Sequence, residues 1–464
     1  MNQTNDLQNV ELASAEETTE TVEMPEVQET PEPVHVPAVS DRAKAVGILL
    51  PVALLCVGFI VGLLWFARPE VSETEKRDLT DFPTLTLDGF LSGEFTDGIS
   101  RWYADTVPGR EGLIRAYHAV SSLFGIQTEQ YQGGVGEDVP DETMGVPDDA
   151  VPPLPDEGGE GGEQVGGYYV SGDTAYELYF FSQSGAYEYA RLINRAAENL
   201  GDKATVYDMV IPLYYTFALG ADVQKSLGVA DGGEVMRYIY SGMSDGVKTV
   251  DVYTPLMGHR DEYIYFRTDH HWTATGAYYA YTAYCAKVGI TPVPLESYEK
   301  LAFEGFLGTL YAKTNKQALA DNPDTVHAYV PKGTNAMITH QADGTTVDWY
   351  SVVNRKTDTW YQNAASKYNC FIAGDHPLIE IHNENVSADR KGTSVVLVKE
   401  SFGNAFAPFL VDSYEYVYII DYRYYDGTLT DFVSDKPHCD VVFLNNVVAT
   451  TAGARLAEMK RFIG

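Results

Sequence analysis

Basic residues are scarce in this 464-residue chain: 32 Lys and Arg stand against 66 Asp and Glu, a formal charge of -34. A nucleic-acid binder needs basic patches that release counterions from phosphates, so that class is excluded. The deficit is uneven. The stretches Asp6 to Asp41 and Glu137 to Glu163 hold about 20 of the acids and no Lys or Arg, which leaves the rest only moderately acidic. Cysteine is also sparse, with four in all. Cys56 falls in an apolar run, so at most one intrachain disulfide can form among Cys285, Cys370 and Cys439, and none is required. The chain has no H-E-x-x-H, no paired C-x-x-C and no EF-hand spacing, which removes the metal motifs that spacing alone can establish. It has no internal repeats either. Residues 1–41 lack aromatics and cannot bury enough apolar surface to offset chain entropy, so a disordered acidic tail is expected there.

Behind the tail comes a long uncharged run, "AVGILLPVALLCVGFIVGLLWFA", between Lys44 and Arg68. At about 1.5 Å per helical residue it spans roughly 34 Å, enough to cross a bilayer once. It lies too far from residue 1, behind too long a tail, for a cleaved signal peptide. A transmembrane signal anchor over 45–67 is expected, with Trp65 and Phe66 at an interface. Arg42 and Lys44 flank one side and Arg68, Lys76 and Arg77 the other, so the charge count does not orient it. A short tail inside and a large domain outside is the expected arrangement.

The domain itself occupies 77–464. Phe95, Ile99, Trp102 and Tyr103 recur at helical spacing and read as a stalk packed on the domain. Residues 133–167, rich in Gly, Pro and acids, read as an exposed loop. Strands and helices then alternate. "ELYFFS" (177–182) reads as a strand, 186–200 as an amphipathic helix, 204–213 as a buried strand and 274–289 as a helix. Further strands are expected at 394–400, 415–420 and 440–446. That order implies an α/β domain with a mainly parallel sheet.

Chemistry concentrates at "YFRTDHHWTATG", residues 265–276. Asp269, His270 and His271 are possible metal ligands, and a DHH triplet also marks metal-dependent phosphoesterases. On a strand, however, adjacent histidines point to opposite faces, and the further acidic motifs of those enzymes are missing upstream. No metal is expected. Asp269 and His271 instead form D-x-H, whose alternate positions share a face if extended. There the carboxylate could hold the imidazole tautomer while the other ring nitrogen takes a proton, with His270 facing away. A nucleophile for this pair is Ser401 in "SVVLVKESFGNAFAPFL", where an apolar strand meets an apolar helix. Serine there is equally a helix N-cap, and both readings stand.

The two stretches "FRTDHHWTATGAYYAY" and "VKESFGNAFAPFL" together resemble the DHHW family of anchored bacterial proteins, which is similar to the SGNH-like alginate O-acetylation proteins. "TVPGREGLI" (106–114), "YIIDYRYY" (418–425) and "VVFLNN" (441–446) add to the likeness. The resemblance implies an SGNH-hydrolase-like α/β domain in which Asp269 orients, His271 acts as base and Ser401 attacks, Trp272 filling the motif's Trp position. Ser401 lies in "KESFGN" rather than the G-D-S of ordinary SGNH hydrolases. By the same resemblance the substrate is a cell-envelope or secreted polysaccharide. Acetyl would come from a multispanning membrane O-acyltransferase, with no soluble cofactor. Arg423 could brace a substrate or oxyanion, or pair with Asp421. Asn404 and Asn445 could donate to an oxyanion or serve local structure. Tyr263 and Tyr265 read as packing. A silent polysaccharide-binding or assembly protein is the rival class.

Overall fold

The computed structural model describes residues 154–349, 351–355 and 364–464, together with short pieces at 71–72, 77–78, 82–85, 95, 98–99, 102–103 and 106. All fall within the unit Ala67–Gly464. The expected acidic tail (1–41), the expected anchor (45–67) and residues 133–153 of the expected loop lie outside the described residues. Among the described residues, no helix is long and apolar enough to cross a membrane. Phe95, Ile99 and Trp102 are helical as their spacing predicts, and Phe82 lies edge-on to Phe95 and Trp102.

Residues 154–167 are not a free loop. Backbone N–H groups of Gly220 and Ala221 donate to the carbonyls of Gly158 and Pro155, and the segment then enters a strand. This strand, β1 (Glu163–Val165), forms a small antiparallel sheet with β2 (Tyr168–Ser171) and β3 (Thr174–Glu177). The predicted strand at 177–182 is therefore corrected. Pairing ends at Glu177, and Leu178, Tyr179 and Phe181 are buried in irregular chain because their apolar side chains fill the core without a neighbouring strand.

Helix α1 (Gln183–Leu200) starts where the Ser182 hydroxyl accepts from the Gly185 N–H, and its buried stripe runs through Tyr189, Leu192, Ile193 and Ala196. Among the described residues the main sheet has eight strands. In chain order they are β4 (Ala204–Ile211), β5 (Val247–Thr249), β6 (Met337–His340), β7 (Thr346–Trp349), β8 (Leu378–His382), β9 (Ser394–Lys399), β10 (Tyr416–Asp421) and β11 (Cys439–Asn446). Across the sheet the order is β7-β6-β8-β10-β9-β11-β4-β5. The last five are parallel; β8, β6 and β7 add antiparallel at one edge. The mainly parallel expectation thus describes one side of the sheet. The antiparallel edge was not visible in strands as short and polar as "TVDW", whose pairing depends on partners distant in sequence.

Every residue of β9 is buried, which requires both faces of the sheet to be covered. One helical pair is α1 with α2 (Gly453–Ile463), joined by Asn199 donating to the Ile463 carbonyl. The other is α3 (Ala274–Val288) with α4 (Gly403–Leu410), where Tyr278 and Tyr281 pack on Phe409. Cys285, Cys370 and Cys439 are all free and buried.

Mid-strand in β4 sits a fully buried acid. Asp208 Oδ1 accepts from the Tyr189 hydroxyl at 2.5 Å, while Oδ2 has no partner among the described residues. Burial pushes this carboxyl from 3.8 up to about 7, although the tyrosine bond pulls the other way. The folded state therefore keeps a proton that the unfolded chain releases near its ordinary value. The stability it contributes is full below about pH 4 and is lost as pH rises through about 7. Asp208→Asn keeps an acceptor for Tyr189 and removes the charge. Its Tm is expected to exceed that of the parent by about 4 °C or more near pH 8 and to converge with it at about pH 4, read by thermal denaturation across that range.

Candidate active site

The segment carrying the D-H-H-W run is a tight reversal rather than a strand. Tyr265 bridges Trp272, the Phe266 N–H donates to the His271 carbonyl, and the Thr273 N–H donates to that of Ile264. Its tip is held by Asp324, a fully buried acid that sequence reasoning did not single out. The Asp324 carboxylate accepts from the Arg267 N–H, the Thr268 N–H and hydroxyl, and the Tyr263 hydroxyl. The reversal ends at Thr273, whose hydroxyl accepts from the Gly276 N–H and starts α3.

Within this turn Asp269 Oδ1 accepts from the backbone N–H of His271 at 3.0 Å and lies 2.6 Å from its Nδ1. The expectation of an extended D-x-H is corrected: the two side chains meet through an Asx-type turn, not through strand alternation. Asp269 Oδ2 accepts from the Thr309 N–H at 2.7 Å. Burial alone would raise the Asp269 carboxyl, but the facing His271 and His270, the His271 hydrogen bond and the Thr309 amide hold it well below the usual carboxylate range. An ionised Asp269 fixes the proton on Nδ1 and leaves His271 Nε2 to accept.

Ser401 Oγ lies 2.8 Å from that Nε2. The serine comes two residues after β9, at the C-terminal end of the parallel strands where α/β sheets take ligands. It does not cap the helix. Phe402 occupies the N-cap position with helical dihedrals and no side-chain cap, so the Ser401 hydroxyl is free to face His271. Its second neighbour is Glu400, whose Oε2 stands 3.3 Å from Oγ. Burial pushes the Glu400 carboxyl up, against the pull of Arg423 and the N–H groups of Asn446 and Phe402.

His270 departs from the expectation that it faces away. Its ring centroid is 4.0 Å from that of His271 and 6.0 Å from Phe402, because the turn places successive side chains on one rim. Burial and the neighbouring His271 push its imidazole down, with Asp269, Glu177 and Glu400 opposing. One donor atom from each of Asp269, His270 and His271 falls within 4.8 Å of the others, a spacing open to a metal ion. The donor set does not fit one. Both Asp269 oxygens and both His271 nitrogens already hold hydrogen-bond partners, and a tetrahedral ion would have to break them.

The weaker candidates lie elsewhere. Trp272 is fully buried, donates to the Phe402 carbonyl at 2.9 Å and packs on the Phe402 ring, so it supports the Ser401–Phe402 loop from behind. Arg423 is held by Asp421 through two bonds of 2.7 and 2.6 Å and by Asp375 at 2.8 Å, the ion-pair reading of this residue. Asn404 donates to Asp375, and Asn445 is fully buried between Tyr422 and Tyr189. Desolvated and engaged, neither amide is presented to a ligand. Tyr265 is fully buried, with Tyr214 stacked on it.

Gly308 has a role no pattern announced. A Cβ built there would overlap Cβ and Oδ2 of Asp269. Gly308→Ala is expected to displace Asp269 or the Thr309 amide and to slow labelling of Ser401 by a sulfonyl fluoride about 100-fold, monitored by intact mass over time.

The DHHW protein family model matches residues 75–151 and 155–420. No curated protein matches the chain. Among solved structures, a DHHW family protein from Eubacterium siraeum is similar at 30% identity, with a TM-score of 0.58 over 65% of this chain and 98% of that one. Bacillus cereus PatB1, solved with a sulfonyl adduct, shares the fold at 17% identity and a TM-score of 0.51, over 65% and 97% of the two chains. The O-acetyltransferase domain of Pseudomonas putida AlgJ matches at 13% identity and a TM-score of 0.32, over 64% and 97%. Since the family match spans most of the sequence, including both the D-H-H-W turn and the Ser401 strand, this chain belongs to the DHHW family.

Proposed function

We propose that this chain is a membrane-anchored, outward-facing O-acetyltransferase or acetylesterase acting on a cell-envelope or secreted polysaccharide. The observation that carries the proposal is the unbroken chain of hydrogen bonds from Asp269 through His271 to Ser401, 2.6 and 2.8 Å long. The apolar run at 45–67 supports the anchor, and the position of a half-buried Ser401 at one end of the parallel strands supports access by a polymer.

In the first half-reaction Ser401 Oγ attacks the carbonyl carbon of an acetyl ester as its proton passes to His271 Nε2. The carbonyl becomes a tetrahedral oxyanion. Its collapse breaks the bond to the donor oxygen, which leaves with the His271 proton, and acetyl stays on Ser401. In the second half a sugar hydroxyl, or water, gives its proton to His271 and attacks the acetyl carbon. Ser401 regains the proton as it departs. Asp269 stays ionised throughout and stabilises the imidazolium formed in each half. No cofactor takes part. A multispanning membrane O-acyltransferase is the proposed source of acetyl.

The test is the acetyl content of envelope polysaccharide in cells lacking the protein, restored with the natural chain or with Ser401→Ala. Restoration by the natural chain alone supports the enzyme. Equal restoration by both would leave a binding or assembly protein.

A further inference from the structure

The His271 imidazole turns about two side-chain bonds, Cα–Cβ and Cβ–Cγ, and on the Asp269 side one hydrogen bond at Nδ1 restrains both. Small coupled rotations about those bonds keep Nδ1 within reach of Asp269 yet swing Nε2 away from Ser401. A third contact is needed, and Tyr368 supplies it. Its ring stacks on His271 with centroids 4.2 Å apart and planes 13° from parallel. The hydroxyl of the same tyrosine donates to the Ser401 carbonyl at 3.1 Å. One side chain therefore touches both the base's ring and the nucleophile's backbone.

Tyr368 is itself well braced. It lies in the 3-10 segment Ala364–Cys370, is 6% exposed, and meets Phe266 and Phe371 edge-on at 6.2 and 5.2 Å. After Phe371, Ile372 and Ala373 take positive φ of 48° and 59°. For a β-branched residue that conformation is costly and persists only where the surroundings enforce it. Phe371 pairs with Val353 and the Ile372 N–H donates to the Val352 carbonyl, so the segment is pinned on its far side. The turn then delivers Asp375 to Lys399, at the end of the nucleophile's strand.

We propose that Tyr368 is a positioning residue that registers His271 against Ser401, its face fixing the imidazole plane and its hydroxyl fixing the nucleophile's carbonyl. The inference rests on the serine acyl-transfer reading above. The face matters more than the hydroxyl. When the Ser401 proton reaches Nε2 the ring becomes a cation, and an aromatic face attracts it as well as aligning it.

The experiment uses the full-length chain and phenylmethylsulfonyl fluoride, with the Ser401 labelling rate read by intact mass. The low-field proton resonance of the His271 Nδ1–H bond is recorded in parallel. Tyr368→Phe keeps the stacked face and is expected to label within about threefold of the natural chain. Tyr368→Leu is expected to label roughly 30- to 100-fold more slowly, with the low-field resonance lost to exchange and the thermal midpoint little changed. Rescue by Phe separates positioning from mere bulk. Should the Leu variant fail to fold, Tyr368→Met replaces it with the same expectation. Labelling of the Leu or Met variant at the natural rate, or a Phe variant as slow as Leu, overturns the proposal. A natural chain that resists the reagent overturns the nucleophile reading of the site instead. The resonance alone then decides Tyr368: its loss in Leu supports positioning, and its retention defeats it.

Discussion

Replacing Ser401 with alanine is expected to lower acetyl turnover roughly a thousandfold or more, and His271→Ala by a similar factor. The double variant is expected to be no worse than either single one, because the two groups act as one unit: without the hydroxyl there is no proton for His271 to take. Ser401 lies 2.8 Å from Nε2 and makes no capping bond to α4, so the alanine variant should fold as well as its parent. The measurement is release of acetyl from an activated ester, with thermal denaturation as the control for folding. Single and double variants that all turn over at the parental rate would remove the triad from the reaction.

Lys399→Met is expected to cost stability rather than chemistry, by about 3 to 5 kcal/mol, because it removes a cation from the fully buried carboxylate of Asp421, Asp375 being partly exposed. The Lys399 ammonium has no exposed surface and sits 2.8 Å from Asp375 and 2.9 Å from Asp421, itself fully buried. Burial alone would lower its pKa, but these two carboxylates hold it above the usual value. Asp375 would likewise be raised by burial, yet Lys399 and Arg423 hold it well below the carboxylate range. Arg423 remains in the variant and still pairs with both acids, which favours the lower end of that range. Urea unfolding measures the effect as a shift of midpoint at constant slope. The sign of the pH dependence comes from the depressed Asp375. Its contribution is full above its unfolded pKa, near 4, and fades as pH falls further through the folded value. An unchanged midpoint in Lys399→Met would mean that this network holds up nothing.

Much of the candidate site was legible from local pattern. Strand β9 announced itself by the apolar run Val395–Val398, and α3 by its start at a threonine and its end at Gly289, where φ is 84°. What local pattern could not carry was anything decided by a partner far along the chain. Asp324 anchors the Arg267–Thr268 turn from more than 50 residues away, and its own strand segment, "DTVHAYV", gives no hint of that task. The same holds for Tyr368, one of 33 tyrosines. His270 departs from its expected direction for a related reason. Regular strand or helix geometry turns it away from His271, while the chain there makes a turn whose shape the Asp269 and Asp324 side chains impose.

By itself the sequence determined the α/β alternation, the apolar run that predicts an anchor, and the residue types D-x-H and Ser that a serine acyl transfer needs. Only the tertiary structure decided that Nδ1 of His271 meets Asp269 while Nε2 meets Ser401. It also decided that Arg423 and Asn404 serve a buried charge network, and that three antiparallel strands close one edge of the sheet. The division has a physical cause. Residue identity and periodicity fix what a side chain can do and which face of its own element it takes. Distance and orientation between groups 130 positions apart arise only when the elements carrying them pack.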